Sequence, residues 1–366
     1  MSWLRKRGPS LDVEKVESKL QDSTVLEFAG SGDPHEEYGK VRLLLENLKA
    51  CPPDILLFDG DYLAEPAYLK SGEDLSSITK ESVEKLQKLL ELLLDAPSPA
   101  LCVAGNYEIL GSTYDALEAI SPDRLVDIGC DKTAEPRRDQ IHEDSVFMNL
   151  ETSRNTWPGS KYDIGGYTIL GVEGSNPINS TFPGERTEGN LKWAFDETMS
   201  KTDVGPEKVI VVTHSPPFGY RDRLGRFGVP PHLWGAQKGS VALRKFVDSQ
   251  KPFLVLVGHI HEAFGVHVRS TDKETGETQE TVIDRDFGNR TKLLIGYDTE
   301  RTQISITLNK GTLEYWNWSR VRIAEEGTRR LIDIEGEWLD RKGRKKPFKK
   351  CDQVVDINDT VTHLMT

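Results

Sequence analysis

The chain is 366 residues long, with 59 acidic against 47 basic side chains and a formal net charge of -12. That balance argues against nonspecific attraction to nucleic acid, and no apolar segment is long enough to span a bilayer. The length admits one large domain or two smaller ones around a sizeable core.

Residues 1–23 contain basic side chains with no apolar stretch after them, which excludes a secretory signal and leaves a short amphipathic helix or an unanchored extension. From Thr24 the chain alternates. TVLEFAGSG predicts a strand, and EEYGKVRLLLENLK predicts a helix with Tyr38, Val41, Leu44, Leu45 and Leu48 on one face. DILLFD predicts a second strand. ESVEKLQKLLELLLD predicts a second helix, striped by Val83, Leu86, Leu89, Leu90 and Leu93 and stopped by Pro97 and Pro99 before the strand LCVA. Strand, helix, strand, helix, strand is the pattern of a layered α/β sheet.

LVDIG and YTILGVEG predict further strands, separated by a charged stretch, 131–163, without a clear period that reads as an insertion. The pattern then returns as helix (LKWAFDETM), strand (KVIVVT), a Gly/Pro-rich loop, helix (SVALRKFVDSQ) and strand (FLVLV). Past Gly265 the pieces GVHVRS, TQETVIDR, TKLLIGYD, TQISITLN and TLEYWNWSR predict an antiparallel meander that continues or covers the core. A boundary near Trp318 divides the main domain, 24–318, from a C-terminal appendage, 319–366. The basic block from Arg341 to Lys346, with Lys349 and Lys350, reads as a solvated tail or hairpin tip. Cys51, Cys102, Cys130 and Cys351 show no metal-binding or disulfide spacing and read as reduced thiols of a cytoplasmic protein.

Five predicted strands end in residues that bind divalent metals. The first runs into Asp33-Pro34-His35, the second into Gly60-Asp61 and the third into Gly105-Asn106. The fourth ends at His214 and the fifth at Gly258-His259-Ile260-His261. Taken singly, Asp-Pro-His, Gly-Asp and Gly-Asn are ordinary turns. Together they place four of the eight histidines and three oxygen donors at the carboxyl ends of buried strands, where ligands bind in such folds. Carboxylate, amide and imidazole donors suit Mn²⁺, Fe²⁺ or Zn²⁺ better than thiolate-loving metals. Two such ions sharing a carboxylate form a clamp for displacement at phosphorus.

The ordered series DPH, GD, GNYE, THSPPFG and GHIHE resembles the calcineurin-like metallophosphoesterase superfamily, and looks closest to its Icc-related, cyclic-nucleotide-phosphodiesterase-like branch. The loop GVEGSNP (171–177) adds to the likeness, which covers about residues 24–265. The resemblance implies an α/β/β/α sandwich of four layers and hydrolysis of a phosphoester by a metal-bound hydroxide. It implies two divalent ions, one held by Asp33, His35 and His261, the other by Asn106, His214 and His259, with Asp61 bridging them. Many members carry a histidine where this chain has Tyr107. A phenol of unperturbed pKa about 10 cannot supply that acid near neutral pH, so Tyr107 either hydrogen-bonds the phosphoryl group or packs. The weakened acid favours diesters over monoesters. In the loop after His214, Arg221 or Arg223 would grip a substrate phosphate beside Asn106, and His232 would replace the missing acid. Two rivals stand beside a small-substrate phosphoesterase: a non-catalytic interaction scaffold, and a nuclease, which the acidic body argues against.

Overall fold

The computed structural model describes residues 22–63, 75–108, 116, 125–128, 131, 134, 137–138, 155–156, 158–177, 182, 184–225, 231–263, 265–283, 291–309, 316–339 and 351–356. The predicted N-terminal helix or extension lies outside them, as do most of the insertion, Arg226, and the basic block at 341–350.

Four parallel strands begin one sheet: β1 (Thr24–Ser31), β2 (Ile55–Phe58), β3 (Ala100–Cys102) and β4 (Leu125–Asp127). Two short pieces, β5 (Arg137–Arg138) and β6 (Asn155–Thr156), pair only with each other. A second sheet contains β7 (Lys161–Ile164) and β8 (Tyr167–Val172), then β9 (Val209–Thr213) and β10 (Leu254–Val257), with β8, β9 and β10 parallel. Strands β2, β9 and β10 are short, apolar and buried on both faces, as continuous Val/Ile/Leu runs require.

Side chains of each sheet alternate between a shared central core and an outer core under its own helices. Ile55 and Leu57 of β2 meet Ile210, Val212, Leu254 and Leu256 of the other sheet in a central core. Leu56 and Phe58 point the other way, onto helices α1 (Tyr38–Lys49) and α2 (Leu75–Leu94), through Val41, Leu44, Leu86 and Leu90. Val211, Val255 and Val257 point away from the centre onto α3 (Glu188–Met199) and α4 (Val241–Gln250). The result is the expected four-layer α/β/β/α sandwich. Thr187 and Ser240 cap α3 and α4 with their hydroxyls, and the Glu188 carboxylate accepts from the N–H groups of Val241 and Ala242 at the start of α4.

The expected meander is divided between the sheets. β11 (Gly265–Asp272), β12 (Thr278–Ile283) and β14 (Thr302–Asn309) extend the second sheet, whereas β13 (Thr291–Asp298) crosses to the first. The boundary at Trp318 needs correction. β15 (Trp316–Glu326) runs through it and pairs along its length with β1, while β16 (Arg329–Leu339) joins β15 to β13 and β17 (Cys351–Asp356) forms the edge. Val321, Ile323, Ile332 and Ile334 enter the central core, so residues 319–339 belong to the main domain. Mixed charge disguised these strands. Arg320 pairs with Glu27 at 2.8 Å and Arg322 with Asp333, which lets charged rungs lie on a covered sheet face.

His267 of β11 is buried with its Nε2 3.5 Å from Glu280 Oε2 and its ring against Tyr220, whose hydroxyl donates to Glu280 Oε1 at 3.0 Å. Burial, with Arg244 and Arg221 nearby, outweighs Glu280 and pushes the imidazole down to about 4. An unfolded histidine titrates near 6.5, so the unfolded chain binds the extra proton first as pH falls. Stability is therefore held above pH 6.5 and lost as pH falls toward 4. With chelator present throughout, urea unfolding should show the parent losing about 2 kcal/mol more than His267→Gln between pH 7 and pH 4. Parallel pH profiles would show that His267 carries no such strain.

Candidate metal centre

The parallel register brings the carboxyl ends of β1, β2, β3, β9 and β10 to one rim, because Ser31 lies beside Phe58, Phe58 beside Cys102, and Val212 beside Leu256. Immediately beyond these ends the backbone turns left-handed at side-chain-bearing residues: Asp33 (φ 48°), His35 (φ 43°), Asp61 (φ 50°) and His259 (φ 63°). Such conformations cost of order 1–3 kcal/mol each and persist where surrounding contacts dictate them. Here Asp33 N–H donates to Gly60 O and His35 N–H to Asp61 O, at 2.9 and 3.0 Å. Gly60 (φ 107°) lies against Gly105 so closely that a Cβ would fall 2.5 Å from the Gly105 backbone. Both glycines are needed for the β2 and β3 loops to meet.

Two groups of donor atoms result. Asp33, His35, Asp61 and His261 form one, and Asp61, His214 and His259 the other, with the atoms of each group within 4.8 Å of one another. Asn106 joins the second through its Oδ1, 2.8 Å from His214 Nε2. All seven residues singled out in the sequence thus converge, and Asp61 is common to both groups.

The donor chemistry fits a cation. His35 Nδ1 donates to Leu63 O (3.0 Å) and His214 Nδ1 to Asp59 O (2.8 Å), so in each neutral ring the Nε2 lone pair faces inward. His214 Nε2 then meets other acceptors, Asn106 Oδ1 and, at 3.3 Å, Asp61 Oδ2. Asp33 Oδ2 is buried with no hydrogen-bond partner among the described residues. Burial pushes the His214 imidazole down, but the carboxylates of Asp61, Asp33 and Asp59 outweigh it and drive it up to about 10. Burial also pushes Asp33 and Asp61 up, and the imidazoles of His261 and His214 respectively lead those that hold both below the usual carboxylate range. The His259 imidazole, by contrast, is pushed down to about 3 by burial and by His214. This acidic pocket draws positive charge, which divalent ions would supply without protonating the ligands.

Glu108 is a site residue that the sequence reading passed over. Its buried carboxylate accepts from the N–H groups of Asp61 and Leu63 (3.0 Å each) and of Gly105 (2.7 Å), tying the β2 and β3 loops together behind the ligands. Burial and the Asp61 carboxylate push it up to about 7 against the N–H groups of Leu63 and Gly105 and the His214 imidazole. Its one sequence signal was its place two residues after Asn106.

The remaining expected residues are placed differently. Tyr107 is half-buried, its N–H donates to Asp61 Oδ1 at 3.0 Å, and its ring contacts His35 and Phe182. Arg221 braces the turn after His261: Nε donates to Ala263 O at 2.9 Å and the guanidinium packs against Gly265. That use competes with a phosphate grip. Arg223 is exposed, and His232 is exposed on a short 3₁₀ turn, Pro231–Leu233. Next to it Leu233 packs on Leu224, Ile260 and Ala263, which seats the turn over the His259–His261 segment.

A four-layer sandwich carrying carboxylate and imidazole donors at the strand ends defines the metallophosphatase class. A family model for calcineurin-like phosphoesterases matches residues 26–263, and the chain belongs to that family. None of the curated proteins compared with it matches by sequence. Among solved structures, TT1561 of Thermus thermophilus is 13% identical with a TM-score of 0.43. A second is 16% identical with a TM-score of 0.48. The similarity covers 81% of this chain and 94% of the other in both cases. Among the described residues, no helix is long and apolar enough to cross a membrane.

Proposed function

We propose that this protein is a dinuclear metal-dependent phosphoesterase of the Icc-related branch, acting in the cytoplasm on small phosphodiesters in preference to monoesters. The observation that carries this reading is Asp61, the one carboxylate common to two convergent donor groups. Asp33, His35 and His261 would hold one ion, Asn106, His214 and His259 the other, and Asp61 both. The donor set suits Mn²⁺, Fe²⁺ or Zn²⁺. Ions bound there would activate water and neutralise charge developing on the phosphoryl oxygens.

The protein's own work is to hold that geometry. Glu108 and the bonds from Asp33 and His35 to the Asp61 loop keep the ligands in their left-handed conformations. Leu63 O and Asp59 O fix the imidazole tautomers. Tyr107 stands where a leaving-group acid would be needed for poor leaving groups, which supports diesters. His232 is the candidate for a replacement acid, on a turn whose Leu233 packs against Ile260, between two of the ligands. An intact set of seven donors is more than a pure interaction scaffold needs.

The test pairs bis(4-nitrophenyl) phosphate with 4-nitrophenyl phosphate in Mn²⁺, before and after chelation. Chelator-reversible hydrolysis with the diester faster is expected. Protein that binds two ions per chain and hydrolyses neither ester would shift the reading to a scaffold.

A further inference from the structure

The metal centre is closed on one side and open on the other. Asp33, Asp61, Asn106 and His214 are buried, whereas His35, His259, His261 and Tyr107 keep part of their surface exposed. A substrate must approach over the second group. From that side a row of rings leads outward. His261 meets His35 edge-on at 5.3 Å, His35 meets Tyr107 at 5.1 Å, and Tyr107 stacks on Phe182 at 5.4 Å with the planes 25° apart. Phe182 is itself half-buried, so apolar ring surface stays exposed beside a highly polar centre.

The described residues on either side of Phe182 are anchored. Gly174 N–H donates to Ala104 O (2.8 Å) and Gly184 N–H to Asn106 O (3.0 Å), on either side of the Asn106 loop. Gly184 sits so tightly that a Cβ would fall 2.2 Å from Gly105 O. Arg186 N–H donates to Ser175 O at 2.7 Å, and the Arg186 guanidinium reaches Glu173 at 2.9 Å with both side chains wholly buried. Asn176 N–H donates to Ser215 Oγ, next to His214. Phe182 thus lies two residues before an anchor to the Asn106 loop, and its ring is held against Tyr107 at the rim. A ring already stacked on Tyr107 has less freedom to lose when a further ring binds against it.

We propose that Phe182 and Tyr107 form an aromatic step that receives an ester group of the substrate and selects phosphodiesters bearing a flat ring. The proposal rests on the phosphoesterase reading and adds its specificity. Ring stacking in a partly desolvated site is worth a several-fold preference, about 3- to 10-fold.

Two diesters with the same leaving group isolate the effect: bis(4-nitrophenyl) phosphate and methyl 4-nitrophenyl phosphate. The chemistry at the leaving oxygen is shared, so the ratio of their kcat/KM values reads the retained group. After correction for the two equivalent leaving groups and for the intrinsic reactivity of each ester, the parent protein should favour the aryl ester by that factor, chiefly through KM. Phe182→Leu should bring the corrected ratio to about one, and Tyr107→Phe, which keeps both rings, should preserve it. A ratio unchanged in Phe182→Leu overturns the proposal. Binding gives an independent reading on the parent Mn²⁺-loaded protein, by calorimetry with phenylphosphonate and methylphosphonate. Tighter phenylphosphonate binding is expected, and equal affinities or binding of neither overturn the step even if the leucine variant fails to fold. Phenylphosphonate preference without hydrolysis of either diester would keep the aromatic step and sink the enzymatic reading.

Discussion

Asp61→Asn should lower diester hydrolysis by about a thousandfold or more and reduce bound metal from two ions per chain to one or fewer. Asp61 is the only residue in both donor groups, and it is wholly engaged. Oδ1 accepts from Tyr107 N–H, Oδ2 lies 3.3 Å from His214 Nε2, and its own N–H is held by Glu108. An amide keeps the shape but loses the charge that Asp61 would offer to both ions, and its NH₂ would turn a donor toward the site. Loss of either ion would remove the water activation and charge stabilisation that the pair would supply, each worth several kcal/mol. Metal content by plasma emission spectrometry and turnover, measured on the same preparation, check this. A fully active variant with two ions would remove Asp61 from the centre.

Arg186→Met should destabilise the fold by about 3–5 kcal/mol, because it removes the guanidinium that pairs with the wholly buried Glu173 carboxylate. For a chain of this size that corresponds to a fall in Tm of roughly 5 °C. The double variant Glu173→Leu/Arg186→Met removes both charges and should regain most of the loss, since a buried pair replaced by apolar groups is often neutral. Thermal unfolding of parent, single and double variants completes the cycle. Equal Tm values for the single and double variants would mean that packing, rather than the lost ion pair, sets the cost.

The sequence displayed the centre unusually well because its ligands follow local signals. Short apolar runs mark where strands end, and Gly-Asp, Gly-Asn and Gly-His-Ile-His stand directly after them. Glu108 stayed hidden because nothing local separates a carboxylate that gathers backbone N–H groups from one facing water. The structural role of Arg221 was hidden for a similar reason. A charged loop suggested a phosphate grip, while in the fold its Nε donates to a backbone carbonyl. The C-terminal strands were obscured by charge. Arg320, Arg322, Glu325 and Asp333 look solvated in the chain and are paired across the sheet in the fold.

The sequence by itself determined which donors exist, that they follow strands, and that the layers are α/β, because hydrophobic period and turn chemistry act over a few residues. Tertiary structure alone decided that Glu108 ties the β2 and β3 loops together, that β15 lies against β1, and that Phe182 stacks on Tyr107. Those arrangements join residues far apart in the chain. They depend on strand order and loop closure, which arise from packing the whole core and leave no imprint on any one segment.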